Sequence, residues 1–121
     1  MLISALLDLT MQAPSMRLNA AADPALDPAE FRRRARRYAA VTAPTDPLLS
    51  PLRANLHGLP PVLLLAAGTD LLLDDSVAFA ARAARSGGAV DLRIWPDAAS
   101  LDAQLLPAMA GFITARTAAA D

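Results

Sequence analysis

Six consecutive apolar residues, from Val62 to Ala67, constrain the fold of this sequence more than any other segment. The run follows Pro60 and Pro61 and shows no alternation between apolar and polar positions. A strand with one solvated face alternates, whereas a strand of a parallel sheet that is covered on both faces is apolar throughout. The run therefore predicts a buried parallel strand with helices packed on both sides of the sheet.

Strand and helix signals alternate on either side of this run. Residues 2–7 and 89–95 are short and largely apolar, which is typical of further strands. A capping motif that begins with Asp27 predicts a helix over residues 27–41. The acidic pair Asp74 and Asp75 predicts a second helix over residues 74–85, and a third is expected after the last strand, over residues 101–119. This order predicts an α/β fold in which crossover helices join three parallel strands, within one domain over residues 1–121.

The composition excludes several kinds of chemistry. The 121 residues include no cysteine and a single histidine, His57. A thiolate nucleophile, a disulfide scaffold and a metal centre built on cysteines or a histidine cluster are therefore excluded. We expect no cofactor.

Charge and hydropathy bear on partners and location. Eleven basic and 12 acidic side chains give a net charge of −1, which provides no general attraction to nucleic acid or anionic membranes. The longest apolar stretch, residues 60–73, contains Thr69 and Asp70 and is shorter than the roughly 20 residues that a membrane span needs. We expect a cytoplasmic protein with no membrane span.

The basic segment at residues 31–38 is the most conspicuous cluster of charge. Five arginines here could form a phosphate-binding patch. However, the rest of the chain is acidic and no platform of aromatic side chains accompanies the arginines. The pattern favours a solvated helix face on which Glu30 pairs with Arg33 or Arg34, and we expect no nucleic-acid partner.

Three side chains are candidates for catalysis. Ser86 lies in a segment similar to the G-x-S-x-G nucleophile elbow, but here a helix precedes the serine where the elbow needs a strand. We expect Ser86 at a helix C-terminus. His57 precedes the central strand, away from the carboxyl ends where active sites of open α/β sheets lie, and is expected to be exposed. Asp70 directly follows that strand, where a carboxylate can either orient a histidine or cap the turn.

A series of short motifs runs from Ser4 to about Phe112. In chain order they are Leu7-Asp8-Leu9-Thr10-Met11, Pro14-Ser15-Met16, Asp46-Pro47-Leu48, Ser50-Pro51-Leu52, Gly58-Leu59-Pro60-Pro61, Gly68-Thr69-Asp70, Leu72-Leu73-Asp74-Asp75 and Trp95-Pro96. In this order they resemble the C-terminal part of the hormone-sensitive-lipase-like α/β-hydrolases, the esterases and lipases with an HGGG oxyanion motif.

The resemblance implies a partial α/β-hydrolase fold. The three strands look like strands six, seven and eight of that fold, residues 10–45 would contribute to the cap over the substrate pocket, and residues 60–121 would form the β-α-β-α end of the core. Asp70 matches the acid of the Ser-His-Asp triad, and Asp74 matches an acidic residue at the start of the next helix. The HGGG loop and the nucleophile elbow would lie upstream of Met1, so a truncated hydrolase is expected.

The sequence departs from the family pattern at the triad histidine. The family has a W-P-G-M-x-H pattern, whereas Asp97 replaces the glycine here and Ser100 takes the place of the histidine. A serine hydroxyl does not accept a proton near neutral pH, so Ser100 cannot act as the general base. We expect a degenerate carboxylic-ester hydrolase, a pseudoenzyme with no activity of its own. The alternative is a split-hydrolase half or interaction module that pairs through an open sheet edge, with an N-terminal hydrolase fragment or with a second copy.

Overall fold

Three parallel strands form the centre of the computed structural model, which describes residues 1–120. In spatial and chain order the strands are β1 (Leu2–Ile3), β2 (Val62–Ala67) and β3 (Val90–Trp95). The helices are α1 (Ser15–Leu18), α2 (Pro28–Ala39), α3 (Leu73–Arg85) and α4 (Ala98–Ala118), with a 3₁₀ turn at Pro51–Arg53. This arrangement confirms the predicted α/β fold class.

The central strand, β2, is buried on both faces, as its apolar run predicts. Its neighbours β1 and β3 both pair with it in parallel, one on each side. Leu64 packs in a cluster with Phe79 of α3, whereas Leu63 and Leu65 pack with Leu101 of α4. Because successive side chains of a strand point to opposite faces, α3 and α4 cover opposite faces of the sheet.

The first strand is much shorter than expected. A strand was predicted over residues 2–7, but the extended pairing ends at Ile3 because Ser4 has a φ of +42°. The N–H groups of Leu7 and Asp8 donate to the carboxylate of Asp75 at 2.8 and 3.0 Å. These backbone groups therefore find a side-chain acceptor on α3 without a neighbouring strand.

Helix α2 begins as the capping motif predicts. The Asp27 carboxylate accepts a hydrogen bond from the N–H of Glu30 at 2.8 Å. Glu30 in turn forms ion pairs with both Arg33 and Arg34, which confirms the predicted pairing on this helix. The helix ends at Ala39, two residues before the expected end, because Ala40 has a φ of +49°. The predicted role of residues 10–45 in a cap stays a prediction.

Helix α4 starts earlier than expected. Its first residue is Ala98, three positions before the predicted start at residue 101, because the Asp97 carboxylate accepts from the N–H of Ser100 at 2.8 Å and caps the helix. Ser100 consequently lies inside the first turn of α4. Within residues 1–120, none of the helices combines the length and the apolar character needed to cross a bilayer.

Candidate active site

Asp70 lies in a tight turn at the carboxyl end of β2, and its side chain is only 8% exposed. The turn packs against the end of β3, where the N–H of Gly68 donates to the carbonyl of Trp95 at 2.7 Å. A Cβ atom on Gly68 would lie 3.1 Å from the carbonyl oxygen of Pro96, closer than ordinary van der Waals contact. The close approach of these two chain segments therefore favours glycine two positions before the candidate acid.

One oxygen of the Asp70 carboxylate receives every hydrogen bond that the structure gives this side chain. Oδ2 accepts from the Ser4 hydroxyl at 2.5 Å and from the N–H of Ala67 at 2.9 Å. Oδ1 has no donor among residues 1–120. The carboxylate is thus held in one orientation, with the second oxygen able to accept a further hydrogen bond.

Ser4 takes part in this site at an energetic cost. Its φ of +42° lies in the left-handed region, which costs a non-glycine residue on the order of 1–3 kcal/mol. The N–H of Ser4 still donates to the carbonyl of Leu65 at 2.9 Å, so the residue stays joined to β2 while its hydroxyl turns to Asp70. Sequence reasoning did not identify Ser4, because its partner is 66 positions away.

Two further side chains hold the turn from the segment around α1. The Asn19 amide donates to the carbonyls of Gly68 and Asp70 at 2.9 and 2.8 Å. The Asp23 carboxylate accepts from the N–H of Leu71 at 2.9 Å. Neither residue carries a local sequence signal for this role, since both act across about 50 positions.

A cavity of about 400 Å³ opens beside Asp70. Most of its wall is apolar, and three carboxylates lie on it, from Asp23, Asp70 and Asp102. The remaining lining residues come from β1, the start of α4 and the segments beside the turn: Ile3, Ser4, Pro24, Ala25, Leu26, Leu72, Ala98 and Leu101. Among the described residues, no histidine or arginine lines this cavity, so no cationic side chain there pairs with the Asp70 carboxylate.

The structure does not bring Ser100 into this cavity. Ala98, Leu101 and Asp102 line it from the first turns of α4, whereas Ser100 does not. A helix turns about 100° per residue, so Ser100 lies roughly 200° around the axis from Ala98 and faces away from the cavity. Its backbone N–H instead donates to Asp97 at 2.8 Å, and this hydrogen bond is the main cause that lowers the pKa of the Asp97 carboxyl.

His57 and Ser86 both lie away from Asp70. His57 is exposed in the loop before β2, and its backbone N–H donates to the Asn55 side chain at 3.0 Å. The six residues of β2 separate it from Asp70, a distance of roughly 20 Å at 3.3 Å per residue. Ser86 is the C-cap of α3, as predicted, and its N–H donates to the carbonyls of Arg82 and Ala83.

Asp74 connects the start of α3 to α1. Its carboxylate accepts from the N–H of Ser15 at 2.7 Å. The Ser15 hydroxyl accepts from the N–H of Asp74 at 3.2 Å and donates to the carbonyl of Leu71 at 2.7 Å. This reciprocal capping satisfies backbone groups at the starts of both helices and fixes residues that follow the Asp70 turn.

Asp75 connects α3 to the segment after β1. Its side chain is 2% exposed and accepts from two backbone N–H groups, those of Leu7 and Asp8. Burial raises the pKa of the Asp75 carboxyl, and repulsion from Asp8 and Asp74 acts in the same direction, while the two hydrogen bonds oppose it. Compared with an exposed aspartate, the folded site therefore favours the neutral form of this side chain over the charged form.

We expect Asp75→Asn to equal or exceed the wild-type stability at pH 7, and Asp75→Ala to lower it by about 2–3 kcal/mol. The asparagine oxygen can accept both hydrogen bonds without a charge, whereas alanine leaves two buried donors unsatisfied. The pKa of Asp75 is higher in the folded chain than in the unfolded chain, so protonation of Asp75 at low pH stabilises the folded state. This stabilisation is lost as the pH rises through the folded pKa. The advantage of asparagine should therefore shrink towards acid pH in urea unfolding, with the exposed Asp102→Asn as the charge control. Equal destabilisation by asparagine and alanine would contradict this account.

Residues 1–99 match the model of a family described as having an α/β hydrolase fold. An acetyl-hydrolase of Streptomyces hygroscopicus is 38% identical over 95 residues, which cover 78% of this chain and 32% of the relative. An esterase of Acinetobacter venetianus is 34% identical over 95 residues, which cover 78% of this chain and 31% of the relative. The chain spans about a third of the length of these relatives.

The solved structures that are similar to this chain also include an esterase and a lipase. A hormone-sensitive lipase from a metagenome library superposes with a TM-score of 0.76 and is 35% identical, covering 78% of this chain and 32% of that structure. The structure of EstE5 soaked with ethyl alcohol has a TM-score of 0.75 and is 38% identical, covering 77% of this chain and 31% of that structure. An esterase of the bacterial hormone-sensitive lipase family has a TM-score of 0.74 and is 36% identical, covering 77% and 31% respectively.

Proposed function

Because the chain belongs to the α/β-hydrolase fold family, in its hormone-sensitive-lipase-like group, we propose that it is part of a carboxylic-ester hydrolase with Asp70 as the triad acid. The observation that carries this proposal is the hydrogen bonding of Asp70. Ser4 and Ala67 both donate to Oδ2, and Oδ1 has no donor among the described residues.

This arrangement suits the task of a triad acid. Such a carboxylate accepts the N–H of the catalytic histidine, holds the imidazole in one orientation and stabilises the imidazolium that forms during acyl transfer. The carboxylate must therefore be fixed and must keep one oxygen free. Asp70 meets both needs, at the carboxyl edge of a parallel sheet where active sites of this architecture lie.

We propose that residues 1–121 do not hydrolyse esters by themselves. Hydrolysis through an acyl-enzyme needs a nucleophile and a base in hydrogen-bond contact. The sequence contains no G-x-S-x-G motif, and Ser86 lies at the C-terminus of a helix. Its only histidine, His57, precedes β2 at the opposite end of the strand from Asp70.

An assay with p-nitrophenyl acetate tests this proposal. We expect the purified chain to release p-nitrophenol no faster than buffer does. The Asp70→Asn variant is the matched control, because it removes the proposed acid and keeps the shape of the side chain. Turnover by the wild-type chain that Asp70→Asn abolishes would overturn the proposal that these residues are inactive alone.

A second candidate function is association through the free edge of β1, with an N-terminal hydrolase fragment or with a second copy. The side of β1 away from β2 has no strand partner among the described residues. Met1 and Ile3 at this edge are 51% and 41% exposed. Unpaired backbone groups beside apolar side chains are a template for strand addition. We favour the hydrolase fragment, because a strand from it would extend the same parallel sheet.

Ile3→Pro is expected to weaken this association at least tenfold while the chain stays folded. The N–H of Ser4 donates to β2, so by strand alternation the N–H of Ile3 points to the free edge. Proline removes that donor and no hydrogen bond within the sheet. Analytical ultracentrifugation with and without an N-terminal hydrolase fragment measures the effect, and Ile3→Val is the control. Equal association of the proline and valine variants would rule out this edge.

A further inference from the structure

Two adjoining cavities lie between α2 and the loop that follows β1. The smaller, about 260 Å³, is lined by Leu9, Thr10, Met11, Gln12, Arg32, Arg36, Pro44 and Thr45. The larger, about 490 Å³, is lined by Met11, Gln12, Ala13, Pro14, Met16, Arg17, Ala20 and Arg32. Met11, Gln12 and Arg32 belong to both, so the cavities form one continuous depression, which we call the arginine groove.

The arginine groove is positively charged and has no internal counterion. Arg17, Arg32 and Arg36 line it, and no carboxylate does so among the described residues. None of these three arginines forms an ion pair within residues 1–120. Arg32 and Arg36 are four positions apart and therefore share one helix face, where like charges repel. A bound anion would relieve this repulsion.

Glu30 explains why some arginines of α2 have an ion-pair partner and others have none. It pairs with Arg33 and Arg34 on the neighbouring face and leaves Arg32 and Arg36 without a carboxylate. The basic segment therefore contains two arginines that share one carboxylate, Arg33 and Arg34, and two that line the arginine groove without an ion pair, Arg32 and Arg36. This division is visible only in the structure, because the sequence shows an almost unbroken run of arginines.

The floor of the groove is held in place. Met11 has a φ of +52° and is only 4% exposed, and it packs in a core cluster with Leu9 and Met16. The N–H and hydroxyl of Thr10 both donate to Asp8, at 3.0 and 2.7 Å. The N–H of Met11 donates to the carbonyl of Asp8 at 3.1 Å. The Gln12 amide and the Thr45 hydroxyl add uncharged donors to the wall.

We propose that the arginine groove binds a small molecule carrying two linked phosphate groups, one in each cavity. A guanidinium group presents parallel N–H donors that match two phosphate oxygens, and Arg32 lies where it can contact both groups. The net charge of the chain is −1, so binding would depend on this local arrangement. The groove lies apart from the Asp70 cavity and shares no lining residue with it.

Titration of the ¹⁵N-labelled chain with inorganic pyrophosphate, followed by NMR, tests the proposal. We expect saturable shifts of the amide signals of residues 10–13. Arg32→Gln with Arg36→Gln should weaken binding at least tenfold, while Arg33→Gln with Arg37→Gln should change it less than twofold. The two double variants lose the same charge, and all four side chains are exposed, so circular dichroism should show equal folding.

Four results would overturn the proposal. Shifts that do not saturate would show that no site exists. Equal weakening by the two double variants would show that only overall charge matters. Malonate binding as tightly as pyrophosphate would show that the groove accepts any dianion. A short oligonucleotide is the remaining probe: we expect none to bind at saturating pyrophosphate, and oligonucleotide binding that persists there would instead indicate a nucleic-acid surface.

Discussion

Leu64→Ala is expected to lower the free energy of unfolding by about 3–5 kcal/mol. Leu64 is fully buried at the centre of β2, the strand that both other strands pair with. Its side chain packs with Leu7 and with Phe79 of α3. Truncation removes apolar contacts and leaves a cavity that the paired backbone of the sheet cannot close. Such a loss is a large fraction of the roughly 5–15 kcal/mol that stabilises a small domain.

Urea unfolding followed by circular dichroism measures this effect. Leu106→Ala is the matched control, because Leu106 is 74% exposed and its truncation should change stability by less than about 0.5 kcal/mol. A loss below about 1 kcal/mol for Leu64→Ala would contradict the central position of β2. Equal losses for both leucines would contradict it as well.

The sequence predicts the fold where a signal is local and strong. The unbroken apolar run of β2 identifies a strand buried on both faces, and the Asp27 motif identifies the start of α2. The length of β1 is not predictable in this way. Its segment is apolar to Leu7, but the pairing ends at Ile3 because Ser4 has a φ of +42°. The N–H of Leu7 then donates to Asp75, which is 68 positions away in the sequence.

The residues of the candidate site also differ in whether the sequence alone can identify them. Asp70 is identifiable because it directly follows the β2 run, at the edge where parallel strands end. Ser4 and Asn19 are not, because a serine and an asparagine in irregular segments acquire their roles only when the chain brings them to the turn. No periodicity or spacing encodes such contacts.

The start of α4 carries a local capping residue, Asp97, whose role is not apparent from the resemblance to the family. Asp97 and Ser100 are departures from the W-P-G-M-x-H pattern, and the resemblance makes Ser100 a substitute for a histidine. In the structure the same two residues form a helix cap, with Asp97 accepting from Ser100. Aspartate is a preferred N-cap residue, and Asp97 accepts from the backbone N–H of residue 100, so the helix starts at Ala98 and not at the predicted residue 101.

This cap leads to the second large expected effect. We expect a graft of this chain onto the N-terminal two-thirds of the Streptomyces hygroscopicus acetyl-hydrolase to hydrolyse aryl esters only after Asp97→Gly and Ser100→His are introduced together. The resemblance implies that the nucleophile and the oxyanion hole lie in that N-terminal part. Glycine removes the cap, so the first turn of α4 can open and a histidine at position 100 can reach Oδ1 of Asp70.

The single change Ser100→His should give little activity in the graft. With the cap intact, position 100 faces away from the cavity that Asp70 lines. Supplying the base in the right place should raise kcat/KM by at least ~10³, since loss of a triad member costs this much or more. Ser86→Ala is the negative control and should leave the rate unchanged, because Ser86 caps α3.

The most direct measurement is kcat/KM for p-nitrophenyl acetate in the graft that carries both changes, with and without Asp70→Asn. Assigning Asp70 as the triad acid predicts a loss of ~10³–10⁴ on this substitution, since the histidine would lose the carboxylate that fixes its tautomer and orientation. Thermal unfolding checks that both grafts are folded. Rates within twofold of each other would contradict the assignment of Asp70.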